Sequence, residues 1–357
     1  MDFRPLRPYT WAFLLGLFVP LSWIFDLLLG PGVIVFAATG LAIVPLAWFL
    51  GLATEELGKH AGPGVGGLLN ATFGNATELI IAIFALSRGL TEVVKASLTG
   101  SVIGNLLLVL GLSMLAGGVK HKSQHFSREA SGIQITMLVV AVIGLVMPAL
   151  YVLSTGIPTG VVLEEMSLGI AAILLLAYVF GLFFSLRTHR DIFNPVTEVA
   201  EKPRWEKRFA LIVLVASTVL VAIESEILVG SLEAARGSLG LTELFVGVII
   251  VAIVGNAAEH GSAILMAWRN KMELSVAVAT TSTTQIALFV APILVFASLL
   301  TAKVMTLDFE IFELASLALA TAVVAAVVSD GRSNWYEGAL LVMVYAVIAV
   351  AFFFHPP

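Results

Sequence analysis

Two stretches decide the reading: Gly74-Asn75-Ala76-Thr77-Glu78, running into Leu79-Ile80-Ile81-Ala82, and Gly255-Asn256-Ala257-Ala258-Glu259, followed by His260. Each places a carboxylate in the middle of a long apolar segment. A charged residue at the centre of a membrane helix costs ~2.5–3.5 kcal/mol, so a matched pair at that depth points to function before packing. The rest of the chain has to explain what such a pair is for.

The surrounding composition is that of a polytopic membrane protein. The 357 residues are 59% hydrophobic and 12% charged, with a mean hydropathy of +1.03, which excludes an array of soluble domains. The net charge of −5 sits mostly in short loops, and no basic or aromatic-basic surface suggests nucleic acid. The chain has no cysteine, so neither disulfides nor thiolate metal sites arise. The first apolar segment lacks a small-x-small cleavage site and reads as a retained span.

A span needs about 20 apolar residues. Eleven segments qualify, at roughly 9–29, 33–56, 64–87, 92–117, 129–154, 166–187, 208–230, 242–268, 274–301, 311–329 and 335–355. The longest polar connection, Arg187 to Arg208, carries Pro195 and Pro203 and separates six spans from five. With the N-terminus inside, the inner face collects Arg4, Arg7, Lys59, Lys120, Lys122, Arg128, Arg187, Arg190, Lys202, Arg204, Lys207, Arg208, Arg269, Lys271 and Arg332. The outer face keeps Arg88, Lys95, Arg236 and Lys303. Fifteen against four is a strong positive-inside bias. It predicts a cytoplasmic N-terminus, a C-terminus outside and residence in a cell (inner) membrane.

Spans two to six and seven to eleven match in kind. Glu55-Glu56 corresponds to Glu224 and Glu226, the first signature stretch to the second, and Thr99-Gly100-Ser101 with Asn105 to the run Thr280–Gln285. Five is odd, so the second copy enters the bilayer in the opposite direction, as in secondary transporters with a midplane site. The predicted fold is therefore all-α and polytopic. An extra N-terminal span (1–30) precedes a first five-helix repeat (31–187), a central cytoplasmic loop (188–207) and a second, inverted five-helix repeat (208–357).

Asn75 and Glu78 are three apart, as are Asn256 and Glu259, so each pair projects from one helix face. Spans three and eight run in opposite directions and their middles can meet, bringing two carboxylates and two amide oxygens together. Hard divalent cations take oxygen ligands of this kind. Gly74 and Gly255 would permit close approach and a locally broken helix. The alternative, glutamates held by a basic partner, is weakened because Lys and Arg avoid the middle of every span. A carboxyl in such surroundings holds a proton until a cation replaces it, which points to cation/proton exchange.

Ser101, Asn105, Ser282 and Gln285 are candidates to line the ion path, against the alternative that the threonines merely pack helix on helix. Glu56 and Glu226 are candidate carboxylates at the two mouths, or ordinary interfacial charges, and the deeper Glu224 could take the place of Glu226. His260 is a candidate proton relay or contact for a softer metal such as manganese or zinc, or else support for Glu259 or a nearby Thr through a hydrogen bond. Of the prolines at 20, 45, 148 and 292, only Pro292 falls in a polar span.

At these residues the chain resembles the calcium/cation:proton exchanger family (CAX) of the cation/calcium antiporter superfamily. GNATELIIAIFAL from Gly74 and GNAAEH from Gly255 are similar to that family's paired signature segments, and STTQIALFVAP from Ser282 to the segment after the second. The resemblance implies one extra span plus two inverted five-span repeats. It also implies Glu78 and Glu259 as the cation- and proton-binding carboxylates, with Asn75, Asn256, Ser101, Asn105, Ser282 and Gln285 around them. Many members carry an acidic run between the halves, where Arg187 to Arg208 is mixed and mostly basic. Also, Thr280–Thr284 is less glycine-rich than that family's pattern.

The expected activity is exchange of calcium, or a related divalent cation, for protons. Those ions are cargo; no cofactor and no catalytic residue is expected. The bilayer is the expected surrounding, and a homo-oligomer is compatible with it. A sodium/calcium exchanger is the runner-up and would need further hydroxyl and acidic residues around the central pair. A divalent-cation channel is disfavoured by the inverted repeat, and a membrane-embedded hydrolase by the lack of a nucleophile–base pair.

Overall fold

The computed structural model describes residues 10–157, 160–193, 202–301 and 303–356; Arg4, Arg7, Pro195 and the rest of 194–201 in the central loop lie outside them. Among the described residues, eleven helices are long and apolar enough to cross a membrane. They are α1 (Thr10–Leu29), α2 (Val33–Ala61), α3 (Val65–Ser87), α4 (Thr91–Lys120), α5 (Arg128–Thr155), α6 (Val161–Thr188), α7 (Lys207–Leu239), α8 (Glu243–Trp268), α9 (Met272–Ser298), α10 (Ile311–Asp330) and α11 (Trp335–Phe354). After the extra α1, α2–α6 and α7–α11 are the two inverted repeats.

The ends of several helices are written in the sequence. Ser127 caps α5 by accepting from Ala130 N–H at 3.1 Å. Glu310 with Glu313, and Asn334 with Glu337, form reciprocal capping boxes at the starts of α10 and α11. Hydropathy placed the end of the seventh span at 230, but α7 continues to Leu239. The added turns are polar and carry an i,i+3 ion pair, Arg236 to Glu233 at 2.8 Å, which supports a helix past the apolar stretch. At 33 residues α7 is ~50 Å long and overshoots a ~30 Å hydrocarbon core.

The chain forms two compact units, and each draws spans from both repeats. The first holds residues 1–85, 194–242 and 254–258. Its core is the seam of α2 and α7, where Leu46, Leu50, Ala53 and Leu57 meet Ala210, Leu214 and Val221, joined by Ala76 of α3 and by Trp205. Ala53 and Ala210 are fully buried; small residues there let the two helices close tightly. α1 lies on α2 through an edge-on pair, Trp11 against Trp48 at 5.2 Å.

The second unit holds residues 86–193, 243–253 and 259–357. Its two innermost spans are α4 and α9, buried over 72% and 78% of their most apolar stretch. These are the spans with the polar runs, so those runs are kept from lipid. α4 and α8 touch backbone to backbone: a Cβ added at Gly247 would stand 2.5 Å from the Ala96 Cβ, and one at Gly100 would collide with the Val248 carbonyl. Around Asn105 and just past Gln285, both helices widen into π-helical turns, Gly104–Val109 in α4 and Ile286–Val290 in α9. Such turns leave carbonyls displaced from the regular ladder and gather at functional sites. Pro292 follows the second of them directly, at the start of the segment Ala291–Ser298. A two-stranded pair, β1 (Gln124–His125) and β2 (Arg332–Ser333), staples the α4–α5 connection to the α10–α11 connection, with Gln124 opposite Ser333.

Candidate functional site

In the first unit, α3 is interrupted at Gly74-Asn75, between helical segments Pro63–Phe73 and Ala76–Ser87. Glu78 therefore sits in the first turn of the second segment, where free amide groups and the helix dipole suit a negative charge. Asn75 and Thr77 are buried beside it, and both carboxylate oxygens of Glu78 are shut from solvent. The break expected at Gly74 is present. At Gly255 it is not: the helix runs unbroken from Ala252 to Trp268.

Gly255 serves closeness instead. A Cβ added there would lie 3.2 Å from Glu78 Cγ and 3.8 Å from Glu78 Oε1. The glutamate of the first signature stretch thus rests on the bare backbone of the second, with buried Asn256 the next residue along. Asn256 and Glu259 lie three apart on one continuous helix, as their spacing predicted.

In the second unit, Glu259 is held by the Ser282 side chain, and Asn105 Nδ2 donates to Ser282 Oγ at 3.1 Å. Asn105, Ser282 and Glu259 form a hydrogen-bonded line from α4 through α9 to α8. Glu259 Oε2 is buried and, among the described residues, accepts no hydrogen bond, which leaves a carboxylate oxygen available to a cation or a proton. Ser101 and Gln285 are buried on the same two spans. Thr280, Thr283 and Thr284 donate to the carbonyls of Val276, Ala279 and Thr280 at 2.7–2.8 Å, the helix-packing use of a threonine. His260 differs from the expectation: its Nε2 is buried and, among the described residues, makes no hydrogen bond to Glu259 or to a threonine.

The two mouth candidates have different surroundings. Glu56 is buried, pairs with Lys59 at 2.9 Å, and accepts from the backbone N–H groups of Arg204 and of Trp205, the latter at 3.0 Å. It fastens the end of the central loop to α2. Glu226 is exposed, but with α7 ending at Leu239 it lies well short of the helix end. Glu224 is fully buried and takes hydrogen bonds from Ser22 Oγ, 2.9 Å from both of its oxygens, and from the Trp23 side chain. The extra N-terminal span is thereby hydrogen-bonded to α7.

Two groups escaped sequence reasoning. Gln134 of α5 bridges two threonines of α9, accepting from Thr284 Oγ1 at 3.1 Å and donating to Thr281 Oγ1 at 3.3 Å. A lone amide in an apolar span was its signal. Lys95 is buried near one end of α4, donating to the Asp308 carbonyl at 2.6 Å and paired with Glu92 at 2.8 Å. Burial pushes the Asp308 carboxyl above its ordinary range, with Lys95 opposing and Glu92 adding to the rise.

The chain belongs to the sodium/calcium exchanger protein family, matched over residues 31–187 and 209–354. Within the curated proteins it is 48% identical over 343 residues to the Ca(2+)/H(+) antiporter ChaA of Bacillus subtilis (strain 168), spanning 94% of this chain and 96% of that one. The solved structure of native YfkE superposes with a TM-score of 0.85 at 43% identity, covering 96% of this chain and 99% of that one. The sodium-calcium exchanger NCX_Mj shares the fold alone, with a TM-score of 0.55 at 18% identity over 88% of this chain and 95% of that one.

Proposed function

We propose that this chain is a secondary active antiporter that moves calcium, or a related divalent cation, out of the cytosol against an inward flow of protons. The observation that carries the reading is Glu78 lodged on the backbone of Gly255, which joins the two signature stretches at one level of the fold. The relative named as a Ca(2+)/H(+) antiporter matches along nearly its whole length, which supports the same activity. Glu78 and Glu259 bind the cation or protons in turn, and Asn75 and Asn256 supply amide oxygens. Asn105 and Ser282 orient Glu259; Ser101, Gln285 and His260 line the path. Two carboxyl groups releasing two protons per divalent cation make the exchange electroneutral.

α2 and α7 share one apolar seam, which suits them to move as a body during alternating access. The Lys/Arg distribution supports a cytoplasmic N-terminus and an external C-terminus in the cell membrane. A sodium/calcium exchanger is the second reading; the one carboxylate per signature stretch fits protons better than a set of sodium sites.

Inside-out vesicles carrying the chain test this. With an imposed pH gradient, calcium uptake is expected to collapse when the gradient is dissipated, to be indifferent to sodium, and to disappear in Glu78→Gln and Glu259→Gln. Uptake that ignores the proton gradient, or that survives both substitutions, sinks the proposal.

A further inference from the structure

Connections at one end of the second unit line an open depression of about 770 Å³ that the exchange reaction does not use. Lys120, Lys122, Arg332, Asp330, Asn270 and Ser333 are among its lining residues. They come from three separate places: the end of α4, the α8–α9 turn and the α10–α11 turn. The β1–β2 pair locks the first to the third. Gln124 Nε2 locks the second, donating to Ala267 O at 2.9 Å and to Asn270 Oδ1 at 3.0 Å. The cup is built and held before any ligand arrives.

Three cations against Asp330 leave the lining with an excess of positive charge. Asp330 is itself engaged by the Arg332 backbone N–H at 2.9 Å. A positive-inside bias alone scatters Lys and Arg over separate loops; it does not converge them on one depression. Ser333 adds a hydroxyl that is 2% exposed and, among the described residues, has no hydrogen-bond partner. Trp268, which ends α8, and Trp335 and Tyr336, which open α11, are exposed large aromatics close by. Trp and Tyr at helix ends mark the headgroup level of a bilayer. Lys120 Nζ stands 5.1 Å from the Trp268 ring, which ties the aromatic belt to the cup.

The geometry points to a binding site for the phosphate group of an anionic phospholipid, on the face of the protein that carries the Lys/Arg excess. The phosphate accepts from Lys122, Arg332 and the Ser333 hydroxyl, with Lys120 at the rim. The acyl chains leave past Val119, which is 69% exposed on the last turn of α4. A choline headgroup would bring its own cation against this lining and is disfavoured.

The test is native mass spectrometry of the full chain in detergent, titrated with phosphatidylglycerol, phosphatidylcholine or inorganic phosphate. Each basic residue near an anionic headgroup is worth about fivefold in binding, so Lys122→Gln/Arg332→Gln is expected to weaken phosphatidylglycerol ~30-fold. Phosphatidylcholine should not respond, and Lys122→Arg/Arg332→Lys should retain the lipid. If the double variant does not fold, Lys122→Gln alone, in an exposed connection, carries the test at ~fivefold. Equal lipid retention by wild type and the Gln variant overturns the site. Inorganic phosphate that binds the wild-type cup as tightly as the lipid, and displaces it, overturns the lipid assignment.

Discussion

Gly74-Asn75-Ala76-Thr77-Glu78 and Gly255-Asn256-Ala257-Ala258-Glu259 differ in one residue of five, yet their backbones part company. α3 breaks at its glycine and begins a new helix whose first turn holds Glu78; α8 passes through its glycine intact. The same residue type supplies a helix interruption in one repeat and an empty seat in the other. Gly74 keeps ordinary helical angles, so the interruption there does not draw on a glycine's left-handed freedom, whereas Gly255 is used for its missing Cβ. Near-identity of motif in an inverted repeat therefore fixes what the two halves contain, without making them mirror each other.

The sharpest way to break that comparison is to remove the carboxylates one at a time. Glu78→Gln and Glu259→Gln are each expected to lower apparent calcium affinity ~10²-fold, about the 3 kcal/mol attached to a hydrogen-bonding partner that carries charge. Isothermal titration of calcium onto the purified chain reads this directly. One variant at wild-type affinity would show that a single half-site suffices.

The glycines come next. Gly255→Ala puts a methyl 3.2 Å from Glu78 Cγ, and transport is expected to fall ~tenfold, the effect of about 1.4 kcal/mol. Its melting temperature should barely move, since Ala is at home in a continuous helix. Gly74 has φ −56° and ψ −45°, a conformation open to alanine, so Gly74→Ala should have the smaller effect on vesicle uptake. A larger loss at Gly74 than at Gly255 would reverse the assignment of the two roles.

Ser282→Ala removes one hydrogen bond to the Glu259 carboxylate and is expected to weaken calcium binding ~tenfold, for about 1.5 kcal/mol. Asn105→Leu in that background should add little, because Asn105 acts through Ser282; additive losses in a double-mutant cycle would sever the line. The smallest effect concerns Asp308, outside the spans. Its folded-state carboxyl binds its proton more tightly than an ordinary aspartate does, so between the unfolded and the folded pKa the folded state carries more protons than the unfolded one. Stability then falls as pH rises through that window. Asp308→Asn should flatten the slope of melting temperature against pH there.

Span number, the inverted repeat and the signature pair were legible because a bilayer forces them into composition and period: about 20 apolar residues per crossing, and a carboxylate that stands out within one. The length of α7 was not, since hydropathy ends where Glu233 and Arg236 begin while the helix does not. Nor was the fate of Glu56. Its position in the sequence is that of a charge near a span end, and only the fold brings two backbone amides from 148 and 149 residues away onto it. The serine and asparagine of the polar runs could be nominated from their place in a buried span, but their order, Asn105 to Ser282 to Glu259, is a tertiary fact.

The Glu56 clasp changes what the central connection is mechanically. A tether would let the two repeats drift independently; here the last residues before α7 are bolted to the last turns of α2 by a carboxylate and two amides. Trp205 then continues into the same apolar seam that joins α2 to α7. Anything that tugs on Lys202 or Arg204, whether a docked protein or an inserted domain, pulls on a crank attached to both helices at once. The connection is a handle, and an insertion point chosen there would be a brake as well as a tag.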